Sequence, residues 1–570
     1  MMDRNLVLAI VLSVLIIVGF QYFLQPPPTV PTQVPSKSGE TIPKPETSPV
    51  SRSAGASTDR PEPAAVTSAP SAEAVEKPIV PAGPVKDTRI TVDTPIYEAV
   101  LSTVGGRIVS FKLKDYKTSP GSGDLVNLYP PEGPDTSGVS IRLTRANEIF
   151  TDNFLGYSID DEKTVYSMKS SGESHRLTFK ASAPNGLSIS KSYVFKSDNY
   201  AIDVEYSITN TSDQGRNYLV TFPLKKSYFD ESQQFAWNSA EIFLNGTLKD
   251  YYFKDIKGDE ELSGQVEWAG LGEVYFLKAL SFGQKPASKV TLLKPTQDHV
   301  AEILIRYGSI DLPPSQPVET RMGLYLGPKQ SDALAKAGDN LSKALFFSNY
   351  AILNIMAEYL MKVLRFFNSG FEVAGIKVPG TNNYGIDIII LTILIKILFI
   401  PLTHKSMKSM KRMQDIQPQI AKLKEKYKDD KAALNKATME LFREQKVNPL
   451  GSCWPMFLQI PVFIALYQAL SYAIELRQAP FVCFPSIYLC INDLAAPDPY
   501  YVTPILMGAT MVLQQWMTPS AGDPMQKKMM LLMPVIFTYM FLSFPAGLVL
   551  YWLVSNVLSI GQQMITNRLA

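Results

Sequence analysis

The chain has 570 residues, a formal net charge of +2, and three histidines and three cysteines. His175, His299 and His404 are widely spaced and form no ligand pair with the cysteines, so neither zinc nor haem is expected, and no phosphate-binding glycine loop points to nucleotide chemistry. The near-zero net charge identifies no partner by itself, because basic residues cluster in a few places and acidic residues balance them elsewhere.

The first apolar run, Leu6 to Leu24, is long enough to span a bilayer and follows Arg4, which predicts an uncleaved anchor over 1–25 with its N-terminus in the cytoplasm. It ends in Gln25-Pro26-Pro27-Pro28 without a small-x-small cleavage pattern. Residues 26–88 are rich in Pro, Ser, Thr, Ala and Glu and hardly contain aromatics, the composition of a disordered tether.

From 89 to 330 short segments alternate apolar and polar residues: Arg89 to Val92, Arg107 to Leu113, His175 to Ala181, Leu187 to Lys196, Ala201 to Thr209 and Asn217 to Leu224. Val274 to Ser281, Lys289 to Leu293, Val300 to Tyr307 and Glu319 to Leu326 continue the pattern between Gly, Asn and Pro turns. Antiparallel strands in a large all-β sandwich follow. Asp203, Glu205, Trp237, Glu241 and Trp268 are residue types suited to a sugar cleft, yet no spacing among them marks an acid and base pair. The sandwich is therefore expected to position or recruit partners rather than catalyse.

Residues 331–383 change to helical period. Ile352, Ile355, Met356, Tyr359, Leu360 and Val363 form an apolar face opposite Glu358, Lys362 and Arg365, as in a helix lying in a membrane surface.

Residues 384–570 predict a membrane α-helical bundle with spans near 384–403, 454–474, 501–517, 529–543 and 547–565. With the anchor these make six transmembrane helices, five of them forming a core, and both termini cytoplasmic. The run Met529 to Ile560 would measure about 50 Å as one helix, so it must fold back, at Ser543-Phe544-Pro545-Ala546-Gly547. Between spans, residues 404–446 carry about six more basic than acidic residues, which places them in the cytoplasm. They read as a helical hairpin broken near Lys428-Asp429-Asp430-Lys431, with Met407, Met410, Lys411, Arg412 and Met413 offering an adaptable, basic surface. Asn448-Pro449 is suited to begin the next helix. Cys483 and Cys490 lie in an outer loop and could close a short disulfide; Cys453 faces the cytoplasm.

Lys396 stands in the middle of an apolar run, where a charge costs about 2.5 to 3.5 kcal/mol and so marks a functional site. Thr392, Lys396, Phe399 and Thr403 share one stripe of their helix, and Trp552, Asn556, Ser559 and Gln563 repeat that spacing on the last span. Gln459, Gln514 and Gln515 add polar groups from two further spans. Facing one another, these side chains would line a hydrophilic groove open to the cytoplasm and closed on the outer side by apolar packing. A cation there would draw in a polar segment while its apolar neighbour slides into lipid.

The chain resembles the YidC family of membrane protein insertases and chaperones. The resemblance covers most of its length and rests on Tyr325-Leu-Gly-Pro328, Pro401-Leu-Thr403, Val447-Asn-Pro-Leu-Gly451, Glu475-Leu-Arg-Gln-Ala-Pro480, Asp498-Pro-Tyr-Tyr501, Asp523-Pro-Met525 and Phe544-Pro-Ala-Gly-Leu-Val549. It implies a bacterial inner-membrane protein with a periplasmic β-super-sandwich and a five-helix insertase core. It also implies that nascent membrane proteins are the substrates, in contact with lipids, and that the Sec translocon, the ribosome and targeting factors are partners; no nucleic acid is bound directly and no cofactor is used. Lys396 matches a position where the family commonly has arginine, keeping the charge without the bidentate fork. Trp552 stands where tyrosine is usual, so the hydroxyl is gone. The competing expectation is a translocon-associated scaffold that holds partners without moving substrate.

Overall fold

The computed structural model describes residues 86–569 apart from 120–121, 130–137, 147, 161–162, 228–237, 297–298, 349, 374–375, 429, 446–453, 485–488 and 518–523. The expected anchor, nearly all of the tether, Trp237, the Asn448-Pro449 start and Cys453 lie outside the described residues.

Alternation of inward apolar and outward polar side chains builds two facing sheets. The larger has fourteen strands and runs from an edge at Glu148–Thr151 through Arg216–Ser227, Val300–Leu312, Glu260–Gly272 and Pro317–Pro328 to Asn199–Asn210, Leu187–Lys196 and Ser174–Ala183. The smaller has five: Leu125–Asn127, Arg107–Lys117, Tyr97–Ser102, Arg89–Asp93 and Val165–Ser167. One pairing departs from the antiparallel expectation: Arg89–Asp93 and Val165–Ser167 run parallel. The strand Glu260–Gly272, not among the segments read from the sequence, alternates as far as Trp268 and is continuously buried beyond it, with a register shift between Ser263 and Val266.

The two sheets are tied by polar contacts as well as by apolar packing. Tyr97 stacks on Phe111 at 4.6 Å and its hydroxyl donates to the Lys196 carbonyl at 2.9 Å. Lys191, inward-facing and wholly buried, reaches the carbonyls of Gly105 (3.2 Å) and Val139 and the carboxylate of Asp152 (3.3 Å). Tyr157 and Tyr206 also donate to Asp152, each at 3.2 Å, and its other oxygen accepts the Ile141 N–H. Each partner of this ion pair therefore has its remaining hydrogen-bonding capacity used, which a charge in an apolar core requires.

After a short helix α1 (Ser331–Ala337), α2 (Ala351–Ser369) buries Ala357, Met361 and Leu364 and exposes Ile352, Ile355, Tyr359 and Phe366. A hairpin of Gly370–Val373 and Ile376–Pro379 leads into α3 (Tyr384–Asp415). Rather than ending near Thr403, α3 continues through Pro401 for three more turns, losing only the one hydrogen bond that proline cannot donate. The basic hairpin follows as α4 (Gln417–Lys426) and α5 (Lys431–Glu444), closed on Ile416, Ile420 and Leu441. The remaining helices are α6 (Trp454–Tyr472), α7 (Val502–Met517), α8 (Pro524–Phe541) and α9 (Ala546–Leu569).

Among the described residues two stretches, Tyr384–His404 in α3 and Ala546–Thr566 in α9, are long and apolar enough to cross a membrane unaided. Leu458–Tyr472 and Leu532–Phe541 are shorter apolar runs.

The sandwich and the helices meet at a polar joint. Arg477, in the loop after α6, donates to the carbonyls of Lys117 (2.8 Å) and Thr118 (3.1 Å), and Gln478 to Lys117 (2.8 Å). Its guanidinium lies 5.7 Å from the ring centres of both Tyr275 and Phe276, and the Tyr275 hydroxyl donates to the Ser471 carbonyl at 3.1 Å.

Candidate functional site at the junction of three helices

The polar residues singled out by sequence gather where α9 packs between α3 and α7. Lys396 lies twelve residues into α3, about 18 Å along its axis from Tyr384. Around it Ile393, Leu394, Ile397 and Leu398 are exposed, as befits a face meeting lipid, whereas Lys396 is half-buried and turned toward α9. Its ammonium donates to the Ser559 hydroxyl at 2.7 Å, and that hydroxyl donates to the Ser555 carbonyl at 2.8 Å. Two turns further on, Gln562 donates to Thr403 at 2.7 Å. A second seam joins α9 to α7, where Asn556 donates to the Thr510 hydroxyl (3.3 Å) and Gln563 to the Met517 carbonyl (2.7 Å).

The predicted stripe on α9 therefore divides. Ser559 meets Lys396, while Asn556 and Gln563, turned slightly around the helix, face α7. Trp552 joins neither seam. It sits among Phe463 (5.0 Å), Phe541 (5.3 Å) and Phe537 (6.1 Å), and Phe541 in turn stacks on Phe544 at 4.9 Å. This aromatic group fills the sandwich-facing part of the bundle. Gln459 binds the Tyr551 hydroxyl at 2.8 Å rather than Lys396. Thr392 is fully buried and returns its hydroxyl to the Ile388 carbonyl of its own helix. Gln514 and Gln515 are half-buried on α7.

Ser555, Gln562, Thr510 and Tyr551 were not singled out from the sequence. Gln562 lies three residues beyond Ser559 and Ser555 four before it, so widening the stripe by one helical neighbour finds both. Nothing in the sequence indicates which way Tyr551 turns.

At the sandwich-facing end of α3, Asp387 is wholly buried and accepts from Asn368 (2.8 Å) and Thr381 (2.5 Å), tying α3 to the end of α2. Arg365 of α2 pairs with Glu475 at 2.7 Å. On the basic hairpin Lys411 and Arg412 are exposed, Met407 is half-buried and Met413 packs on the Ile416 cluster; the side chain of Met410 lies outside the described residues. Strand register sets Cys483 opposite Cys490, and Cys490 is disulfide-bonded.

The carboxylates singled out in the sandwich, Asp203, Glu205 and Glu241, do not converge. Asp203 pairs with Lys196, Glu205 with Arg176 and Arg321 on the sheet surface, Glu241 with Lys329, and Trp268 is buried against Phe243.

Comparison with known proteins gives this arrangement its context. The family described as "60Kd inner membrane protein" matches residues 377–570, and that described as "YidC periplasmic domain" matches residues 89–363. A protein of Syntrophus aciditrophicus named membrane protein insertase YidC is 39% identical over 584 aligned residues, covering 100% of both chains. The chain belongs to the YidC family of membrane protein insertases. A YidC of Geobacter sulfurreducens is 39% identical over 486 residues, 84% of this chain and 85% of that one, and one of Geobacter metallireducens is 38% identical over 573 residues, 100% and 98%. As a YidC-family chain it is an inner-membrane protein with a β-rich periplasmic domain, and the relatives it matches are named membrane protein insertases.

Proposed function

We propose that this YidC-family protein takes nascent membrane proteins into a hydrophilic groove, open to the cytoplasm, whose walls are α3, α7 and α9 and whose attracting charge is Lys396. The observation that carries this reading is the half-buried ammonium bonded to Ser559 at 2.7 Å, just past the middle of the apolar Tyr384–His404 stretch of α3. Thr403, Gln514, Gln515, Asn556, Ser559 and Gln563 supply the polar lining on these three helices, Gln459 adds an amide from α6 and Thr392 backs Lys396 from within α3, while the Phe463, Phe541 and Trp552 rings close the groove toward the periplasm. A polar or acidic segment of substrate would exchange water for these groups while its apolar neighbour passes into lipid beside the exposed Ile397 and Leu398.

In this reading the protein crosses the membrane six times with both termini cytoplasmic, the spans after the anchor falling near 384–403, 454–474, 501–517, 529–543 and 547–565. The 404–446 hairpin, with Met407, Met410, Lys411, Arg412 and Met413, meets ribosomes and targeting factors. The protein acts alone or with the Sec translocon, and Cys483 bridges Cys490 in the periplasmic loop. The test is site-specific crosslinking from Ser559 and Thr403 positions to a nascent single-span protein, beside complementation of insertase-depleted cells. Crosslinks at both positions and rescue by a chain lacking much of the sandwich support insertion. Rescue that is lost with the sandwich, without crosslinks, supports the scaffold reading instead.

A further inference from the structure

A cavity of about 520 Å³ opens beside the joint between the sandwich and the helices. That volume falls within the range of small-molecule sites and far exceeds the space one water needs. Its charged groups are unevenly satisfied. Lys114 is neutralised by Asp93 at 2.6 Å. Glu475, whose side chain is only 6% exposed, gives one oxygen to Arg365 and leaves Oε2 buried with no hydrogen-bond partner. Such an acceptor is costly to leave empty. Arg477 spends Nη2 on two carbonyls and faces the field of Asp493, Lys117 makes no ion pair among the described residues, and the Asp115 carboxylate also lines the cavity. Gln478 holds a left-handed backbone (φ 58°), which positions its amide on the same wall.

An unpartnered buried carboxylate oxygen, with Asp115 on the same wall and the cations Lys117 and Arg477 beside it, complements a ligand that carries both an ammonium with N–H donors and an anion. The place in the fold identifies the source. Glu475 follows the end of α6 by three residues, and its partner Arg365 belongs to α2, the helix that exposes Ile352, Ile355, Tyr359 and Phe366. The cavity thus lies at the level where an apolar helix face meets the membrane surface. We propose that it binds the headgroup of a phospholipid bearing a primary ammonium, of the phosphoethanolamine type, with Glu475 receiving the ammonium and Lys117 and Arg477 the phosphate. This assignment is independent of the groove and of Lys396.

The experiment is native mass spectrometry of the full chain in detergent, titrated separately with short-chain phosphatidylethanolamine, phosphatidylcholine and phosphatidylglycerol. A quaternary ammonium cannot donate to Glu475 and phosphatidylglycerol has no ammonium. Phosphatidylethanolamine is therefore expected to bind about tenfold more tightly than either, the usual worth of one charge-assisted hydrogen bond. Glu475→Gln should bring the ethanolamine-to-choline ratio close to one. Lys117→Gln, which leaves the Arg365 pair intact, should weaken both of these lipids alike. Water-soluble glycerophosphoethanolamine should compete, separating headgroup recognition from acyl-chain binding. Equal binding of the three lipids, a preference that survives Glu475→Gln, no effect of Lys117→Gln, or no competition by the chainless headgroup overturns the proposal.

Discussion

The Lys396 ammonium and the Ser559 hydroxyl stand 2.7 Å apart, one on α3 and the other on α9, and the serine hydroxyl donates its own hydrogen bond to the Ser555 carbonyl of its helix. Lys396 is thus held by a neutral partner rather than by a carboxylate.

Substitutions at this pair separate charge from hydrogen bonding. Lys396→Arg keeps the cation and is expected to retain insertion. Lys396→Ala and Lys396→Glu should reduce crosslinked nascent chain by roughly tenfold or more, the loss of one charged interaction. Ser559→Ala removes only the tether and is expected to have a much smaller effect. Crosslinking yield and complementation, both normalised to protein level, measure this; full activity of Lys396→Glu would remove the electrostatic role.

In the sandwich core, Asp152→Ala leaves Lys191 charged and uncompensated among tyrosines. Breaking such a pair costs about 3–5 kcal/mol. Lys191→Met should cost less, because Asp152 keeps the donors Tyr157, Tyr206 and Ile141. Urea unfolding followed by tryptophan emission gives the two values, and equal losses would contradict the ordering.

Burial, reinforced by the Asp152 charge, pushes the hydroxyls of Tyr157, Tyr193 and Tyr206 well above the ordinary tyrosine value near 10. A raised folded-state value means the folded protein keeps these protons after the unfolded chain has lost them. Their stabilising contribution is present below pH 10 and is lost as pH rises beyond it. Thermal unfolding of the sandwich should therefore shift downward from pH 10 to 11.5, and absorbance at tyrosinate wavelengths should show these three groups ionising only with unfolding. Their reversible titration in folded protein would contradict this.

Two helix glycines make opposite predictions. A Cβ at Gly508 of α7 would collide with the Thr538 hydroxyl of α8, whereas one at Gly561 of α9 meets nothing within 4 Å. Gly508→Val should separate α7 from α8 and lower the melting temperature. Gly561→Ala should be neutral or stabilising by about 0.4–1 kcal/mol through reduced chain entropy. Melting curves of the two variants in one detergent decide it.

Much of this was readable in the residues before any coordinates. Strands such as Leu187–Lys196 show plain alternation, and the helix turn at Pro545 follows from an apolar run too long for one crossing. The family emerged from scattered short motifs and agrees with the full-length relatives. What stayed hidden depends on rotation and register. A 3.6-residue period says that Trp552 and Ser559 share a stripe, but a helix wedged between two neighbours sends members of one stripe to different partners. The strand Glu260–Gly272 alternates only as far as Trp268 and then turns buried on both faces, where period gives no strand signal, and the Lys191–Asp152 pair stays hidden because no local pattern reveals that two distant charges will meet in a core.

Because α3 is unbroken from Tyr384 to Asp415, Lys396 and Arg412 are fixed points on one rigid rod about 24 Å apart. A load placed on the basic hairpin would therefore travel along the same helix that carries the half-buried lysine.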